Sequence, residues 1–190
     1  ANHHPAKLLL NCGTQMFDHP SMGSWVTYGL GSESQDLPGF VVLTSFSEAA
    51  TIVNPTLWTN GFLPSTYRGT AFRNRGDPIL NLASPPGVNG NFQRARLDAI
   101  SALNQQRFGQ TGDPEIASRI ASYELAYRMQ MDATDAFDVN REPKHIRELY
   151  GEGTQARQLL IARRLVERGV RFVQVWHGSG QPWGNHDAGP

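Results

Sequence analysis

Val170-Arg171-Phe172-Val173-Gln174-Val175-Trp176 reads as a β-strand, rich in β-branched and aromatic residues and poor in polar ones. The residues before it say what kind of sheet it joins. From Thr154 to Arg168 the spacing is helical, with Ala156, Leu159, Leu160, Arg163 and Val166 as the expected inward stripe. Arg163, Arg164 and Arg168 load its last turns with positive charge, and Gly169 supplies the left-handed residue that closes it. A helix joined by one glycine to an apolar strand is an αβ unit. It predicts an α/β fold with a parallel sheet covered on both faces. In open α/β sheets ligands gather beyond the carboxyl ends of the strands. Beyond this strand come His177, Gly178, Ser179, Gly180, Trp183, Asn185, His186 and Asp187. Imidazole and carboxylate suit zinc, manganese or iron, so His177, His186 and Asp187 are candidate metal ligands. Solvated loop histidines would give the same string.

The bulk composition limits the alternatives. In 190 residues, 17 Lys plus Arg balance 17 Asp plus Glu, so no excess charge calls for nucleic acid or an anionic membrane. With 19 Gly and 12 Pro, long ordered loops are expected. No apolar run approaches the roughly 18 residues that span a bilayer. Cys12 is the single cysteine, which excludes a disulfide within the chain and a thiolate cluster. The chain opens on Ala1-Asn2-His3-His4-Pro5 and stops in a polar loop, so it reads as a piece of a longer protein.

Taken in order, Ala6 to Leu10 is either a strand or the end of a helix, and Gly13 as a C′ residue favours helix. Asp18 or Ser21 is placed to cap a short helix whose apolar positions are Met22, Trp25, Val26 and Leu30, stopped by Gly29 or Gly31. Pro38 to Thr44 is a second buried strand. Residues 45–91 lack regular pattern and are read as an irregular insertion, functional or wrapped over a neighbour. Residues 92–168 form a helical segment. Its first helix runs from Phe92 to Phe108, striped by Leu97, Ile100, Leu103 and Phe108 and ended by Gly109. Asp113-Pro114 opens the next as N-cap and N1, and Glu142-Pro143 begins a short one ended by Gly151. Residues 1–190 are thus one partial domain, helix-rich with few strands. Strands missing from the sheet would come from the parent protein or a second copy, and exposed sheet surface favours self-association.

Several strings resemble one family: Pro20-Ser21-Met22-Gly23-Ser24-Trp25-Val26-Thr27-Tyr28-Gly29-Leu30-Gly31-Ser32, Gly61-Phe62-Leu63-Pro64, Ser122 to Gln130 and Ala162 to Val173. The chain is similar to domain-of-unknown-function family 1501, sulfatase-like proteins of the alkaline phosphatase superfamily, from its first histidines to His186. The resemblance implies an α/β/α sandwich with metal ions at the carboxyl ends of the strands. It implies a longer protein exported by the twin-arginine route to the periplasm or beyond. It further implies a divalent metal ion (zinc, manganese, calcium or magnesium) and a hydrolase of small sulfate or phosphate esters or a polysaccharide substrate. His186 matches the histidine of the family's Trp-Asp-x-His motif, whose Asp is replaced here by Gly184. His3 and His4 match an Asn-His-His-Pro string and become candidate substrate-binding residues. No nucleophile is identifiable in this chain, and the isolated chain is expected to be inactive. The alternative is a non-catalytic module of the same fold that binds a cell-surface or polysaccharide partner.

Overall fold

The computed structural model describes residues 3–44, 54–73, 89–132 and 134–177. Among these described residues six α-helices run in chain order: α1 His3–Cys12, α2 Met22–Leu30, α3 Gly90–Thr111, α4 Pro114–Asp132, α5 Lys144–Tyr150 and α6 Thr154–Glu167. Three strands among the described residues, β1 Phe40–Thr44, β2 Thr70–Phe72 and β3 Phe172–Trp176, form a parallel sheet in the order β2-β1-β3. The α/β class follows directly. β2 escaped the sequence reading because it is three residues long and lies in the segment without pattern. Parallel pairing supplies it with partners that its own composition does not advertise.

Side-chain alternation divides the sheet into two apolar faces. Phe40 and Val42 of β1, with Phe172 and Trp176 of β3, meet Leu8 of α1 and Leu57 and Trp58 of the 3-10 turn Pro55–Trp58. Val41 and Leu43, with Phe72, Val173 and Val175, meet Met129 of α4, Ile161 and Leu165 of α6, and Phe137. The result is helix, sheet and helix in three layers. β1 is buried from Phe40 to Leu43, whereas β3 is only half-buried along its length. Val170 is buried as expected, but the half-burial of residues 171–176 corrects the expectation of a fully buried strand. β3 has a strand on one side alone among the described residues.

Two helices bury faces other than those expected. On α2 the buried residues are Gly23, Ser24 and Thr27, while Met22, Trp25 and Leu30 are exposed. The cause is a close approach: a Cβ on Gly23 would lie 2.6 Å from the Phe40 ring, and one on Gly39 would lie 2.6 Å from Thr27 Cγ2. Only small side chains fit that interface. Ser21 sits at the N-cap position without capping through its side chain. Its hydroxyl pairs instead with that of Ser24 at 3.0 Å, and Ser24 donates to the Thr59 carbonyl. Gly31, with φ of 68°, stops the helix.

On α6 the buried face is Ala156, Leu160, Ile161, Arg164 and Leu165, with Leu159 and Val166 exposed. Arg164 is therefore inside rather than on a solvated face. Its guanidinium donates to the carbonyls of Ala136 and Asp135 and pairs with Glu142, which also binds Arg163. Arg168 reaches Asp135 at 2.9 Å. These bonds fasten residues 134–142 onto α6. Arg163 foremost, then Arg164, holds the Glu142 carboxyl below its usual range, and Arg168 does the same for Asp135.

α3 runs through Gly109 to the left-handed Gly112, which closes it. Its expected stripe is not buried, and Leu103 and Phe108 are exposed. It is held to α4 by Arg94, which pairs with Glu124 at 2.6 Å and lies over the Tyr127 ring. The Asp113 carboxylate accepts from Glu115 N at the start of α4, as the capping pattern requires. No helix among the described residues is long and apolar enough to cross a membrane.

Two stability measurements test this packing. Gly23→Ala is expected to cost about 1–3 kcal/mol in urea unfolding through overpacking on Phe40. Gly29→Ala in the same helix, where a Cβ meets nothing within 4 Å, should gain up to about 1 kcal/mol. Equal effects would contradict the close approach of α2. Because the folded value of Glu142 is depressed, its contribution is complete above a free glutamate's 4.5 and is lost as pH falls through the folded value. Glu142→Gln should therefore flatten the acid limb of the stability profile, and an unchanged slope would remove Glu142 from the clamp.

Candidate functional site

The carboxyl edge of the sheet is where the fold concentrates chemistry. β1 ends there at Thr44, whose carbonyl accepts a hydrogen bond from the Gln158 amide of α6. Gln158 is almost wholly buried, so this bond ties the middle of the edge to the helix layer. β3 ends there at Trp176, and His177 follows directly, exposed. α1 covers the neighbouring face through Leu8 and Cys12, the face on which Trp176 also packs. His4 lies in the first turn of α1 with its ring 6.1 Å from that of Phe17. His3 opens the same helix. α1 and the end of β3 therefore share one side of the sheet.

Polar groups cluster beneath this edge. Gln174 donates to Asn11 Oδ1, and the Asn11 amide donates to the Lys7 carbonyl at 2.8 Å. Cys12 Sγ donates to the Thr56 carbonyl at 3.7 Å. Gln174 Oε1, Thr56 Oγ1 and Trp176 Nε1 are buried without a hydrogen-bond partner among the described residues. Burial pushes the Cys12 thiol up and the Lys7 ammonium down. The cysteine is thus a protonated thiol at neutral pH, poorly suited to nucleophilic attack or metal ligation.

Among the described residues no group of three or more His, Cys, Asp or Glu side chains gathers as a metal site needs. Neither His177 nor His4 belongs to such a group. His186, Asp187 and Gly184 lie outside the described residues, and so does the His3 side chain. The described residues do not by themselves fit a divalent ion, and no reaction step is assigned to one.

Two further features were not anticipated from the sequence. The first is a run of rings on the outer face of α2. His19 meets Phe62 at 6.1 Å, Phe62 meets Trp25 at 5.7 Å, Trp25 meets Tyr28 at 6.1 Å and Tyr28 meets Tyr67 at 5.2 Å, all edge to face. Phe62, Trp25 and Tyr28 are exposed. Gly61 sets this up: its φ is 52°, and a Cβ there would fall 2.4 Å from Pro20 N. That contact presses Phe62 against the turn carrying His19. The available signal was Gly23-Ser24 with Thr27, small residues that mark the packing face and turn the aromatic ones outward.

The second is a cleft of about 580 Å³ at the opposite, amino edge of the sheet, where Gly39-Phe40 and Gly69-Thr70 open β1 and β2. The loop after α2, the turn Ser65–Tyr67 and the middle of α4 wall it, bringing Arg68 and Arg128 onto one concavity. A wider hollow of about 1070 Å³ between α5 and α6 carries charges of both signs, Lys144, Arg147 and Arg157 with Glu148 and Glu152.

No curated protein and no solved structure matches the chain. One family model does, over residues 1–189. With the sheet, its edges and its near-complete coverage in hand, the chain belongs to the family described as Protein of unknown function (DUF1501).

Proposed function

We propose that this chain is the sheet-bearing part of a metal-dependent hydrolase of sulfate or phosphate esters, of the sulfatase-like kind within the alkaline phosphatase superfamily. The observation that carries the reading is His177, set immediately past the carboxyl end of a strand in a parallel sheet covered on both faces. His4, on the helix that shares that side, supports it as a substrate contact. On this reading His186 and Asp187 complete the ligand set for the divalent ion, with further ligands and the nucleophile supplied by the parent protein. On this reading the protein is an exported one.

The test uses the complete parent protein, assayed on sulfate and phosphate monoesters with and without a chelator. Turnover should vanish on chelation and fall by more than about 100-fold in His177→Ala, while residues 1–190 alone turn over neither ester. Activity that survives both the chelator and His177→Ala would end the proposal.

The aromatic run favours a second reading, a module that binds polysaccharide. Its rings stand in a row along one surface, which suits stacking on the C–H faces of sugars. Trp25→Ala and Phe62→Ala should each lower retention on an insoluble polysaccharide several-fold without loss of folding. If they instead abolish a dimer seen in ultracentrifugation, the rings serve self-association and the polysaccharide reading fails.

A further inference from the structure

We propose that the cleft at the amino edge of the sheet is a binding site for a small organic oxyanion, a phosphate or sulfate monoester of a hexose-sized polyol. The site lies at the end of the strands away from His177 and shares no residue with the hydrolase reading, so it stands or falls separately.

The chemistry of the wall selects the ligand class. Arg68 and Arg128 line the cleft, and among the described residues no Asp, Glu or Lys does. Asp36 stands between the lining residues Gln35 and Leu37, and three glutamates near the walls bond other groups, although Glu124 also feels the Arg128 charge. Glu124 bonds Arg94 through both oxygens, at 2.8 and 2.6 Å. Glu115 accepts from the Ser65 amide and hydroxyl at 3.1 and 2.6 Å, and Glu33 pairs with Arg171 at 3.0 Å. Arg128 Nε is buried and has no hydrogen-bond partner among the described residues. A buried guanidinium N–H without an acceptor is costly, and an oxyanion within its reach relieves that cost. Guanidinium forks match tetrahedral oxyanions better than ammonium points do.

The rest of the wall suits the polyol. Thr66, Tyr67, Thr70 and Gln35 present hydroxyl and amide groups that donate or accept. Leu125 and Met129 give an apolar floor, and the Tyr67 ring offers a flat surface for a sugar's C–H face. A volume near 580 Å³ falls within the range of small-molecule sites and exceeds what a bare inorganic anion fills. No single segment makes this site. It exists because the loop after α2, the turn before β2 and α4 converge where β1 and β2 begin.

The experiment is calorimetry on residues 1–190 with four probes, glucose 6-phosphate, glucose 6-sulfate, inorganic phosphate and unsubstituted glucose, each titrated with and without a chelator. Saturable one-to-one binding is expected for at least one ester, about tenfold or more tighter than for inorganic phosphate or glucose. Which ester binds better distinguishes a phosphate from a sulfate ligand. Binding should weaken as salt rises. Arg128→Gln should lower affinity by about tenfold or more, Arg128→Lys by less, and Arg68→Gln by several-fold, with far-UV circular dichroism unchanged. Arg68 is exposed, so its variant carries the test even if Arg128→Gln does not fold. Absence of saturable binding by either ester overturns the proposal. So does affinity untouched by both arginine substitutions, inorganic phosphate binding as tightly as the esters, or binding that the chelator removes.

Discussion

Burial of β1 on both faces is the constraint from which the remaining architecture follows. Phe40, Val41, Val42 and Leu43 are each no more than 2 % exposed, and β1 pairs with a strand on either side. At about 1.5–3 kcal/mol per buried side chain, these four contribute roughly 6–12 kcal/mol before entropy is counted. That is comparable to the whole net stability of an ordinary domain. Exposed ion pairs such as Lys144 with Glu148 contribute at most about 1 kcal/mol each. A strand buried in this way needs a layer on each face, and α1 with the turn at Pro55–Trp58 faces α4 with α6 across it.

The two layers meet that demand differently. On the α6 side, branched side chains interdigitate with the sheet, and a buried arginine is tolerated because two carbonyls and a carboxylate surround its guanidinium. On the α2 side, glycine and short hydroxyl side chains let the helix backbone come close to Phe40. The close approach has an outward consequence. Residues of α2 too large for the interface are turned toward solvent, where Trp25 and Tyr28 join Phe62 and Tyr67 in a continuous run of rings. An exposed surface of that kind is uncommon on a molecule that uses it for nothing.

The sheet also separates two kinds of chemistry. Its carboxyl edge holds an imidazole, buried amides and an indole around the end of β3, on the side covered by α1. Its amino edge holds two guanidinium groups among hydroxyls in a cleft. The polarity of a parallel sheet makes the two edges inequivalent, because every strand presents its carbonyl-directed end to the same side.

Periodicity and punctuation in the sequence were enough for much of this. Pro38 to Thr44 and Val170 to Trp176 announce parallel strands, Gly13, Gly31, Gly151 and Gly169 mark helix ends, and Asp113-Pro114 marks a start. His177 could be placed at a strand end from the string alone. Those features are local, set by φ preference, capping and side-chain alternation, and a linear reading recovers them. It could not recover β2, whose three residues are strand only because β1 lies alongside. Nor could it recover the outward turn of Trp25, the inward turn of Arg164 or the meeting of Arg68 with Arg128. Each depends on which neighbour fills the space opposite: a phenylalanine ring against a glycine, a carboxylate against a guanidinium, a turn against a helix some sixty residues on. Sequence determined the elements and their ends, and tertiary contact decided their faces, because burial is a property of pairs of surfaces distant along the chain.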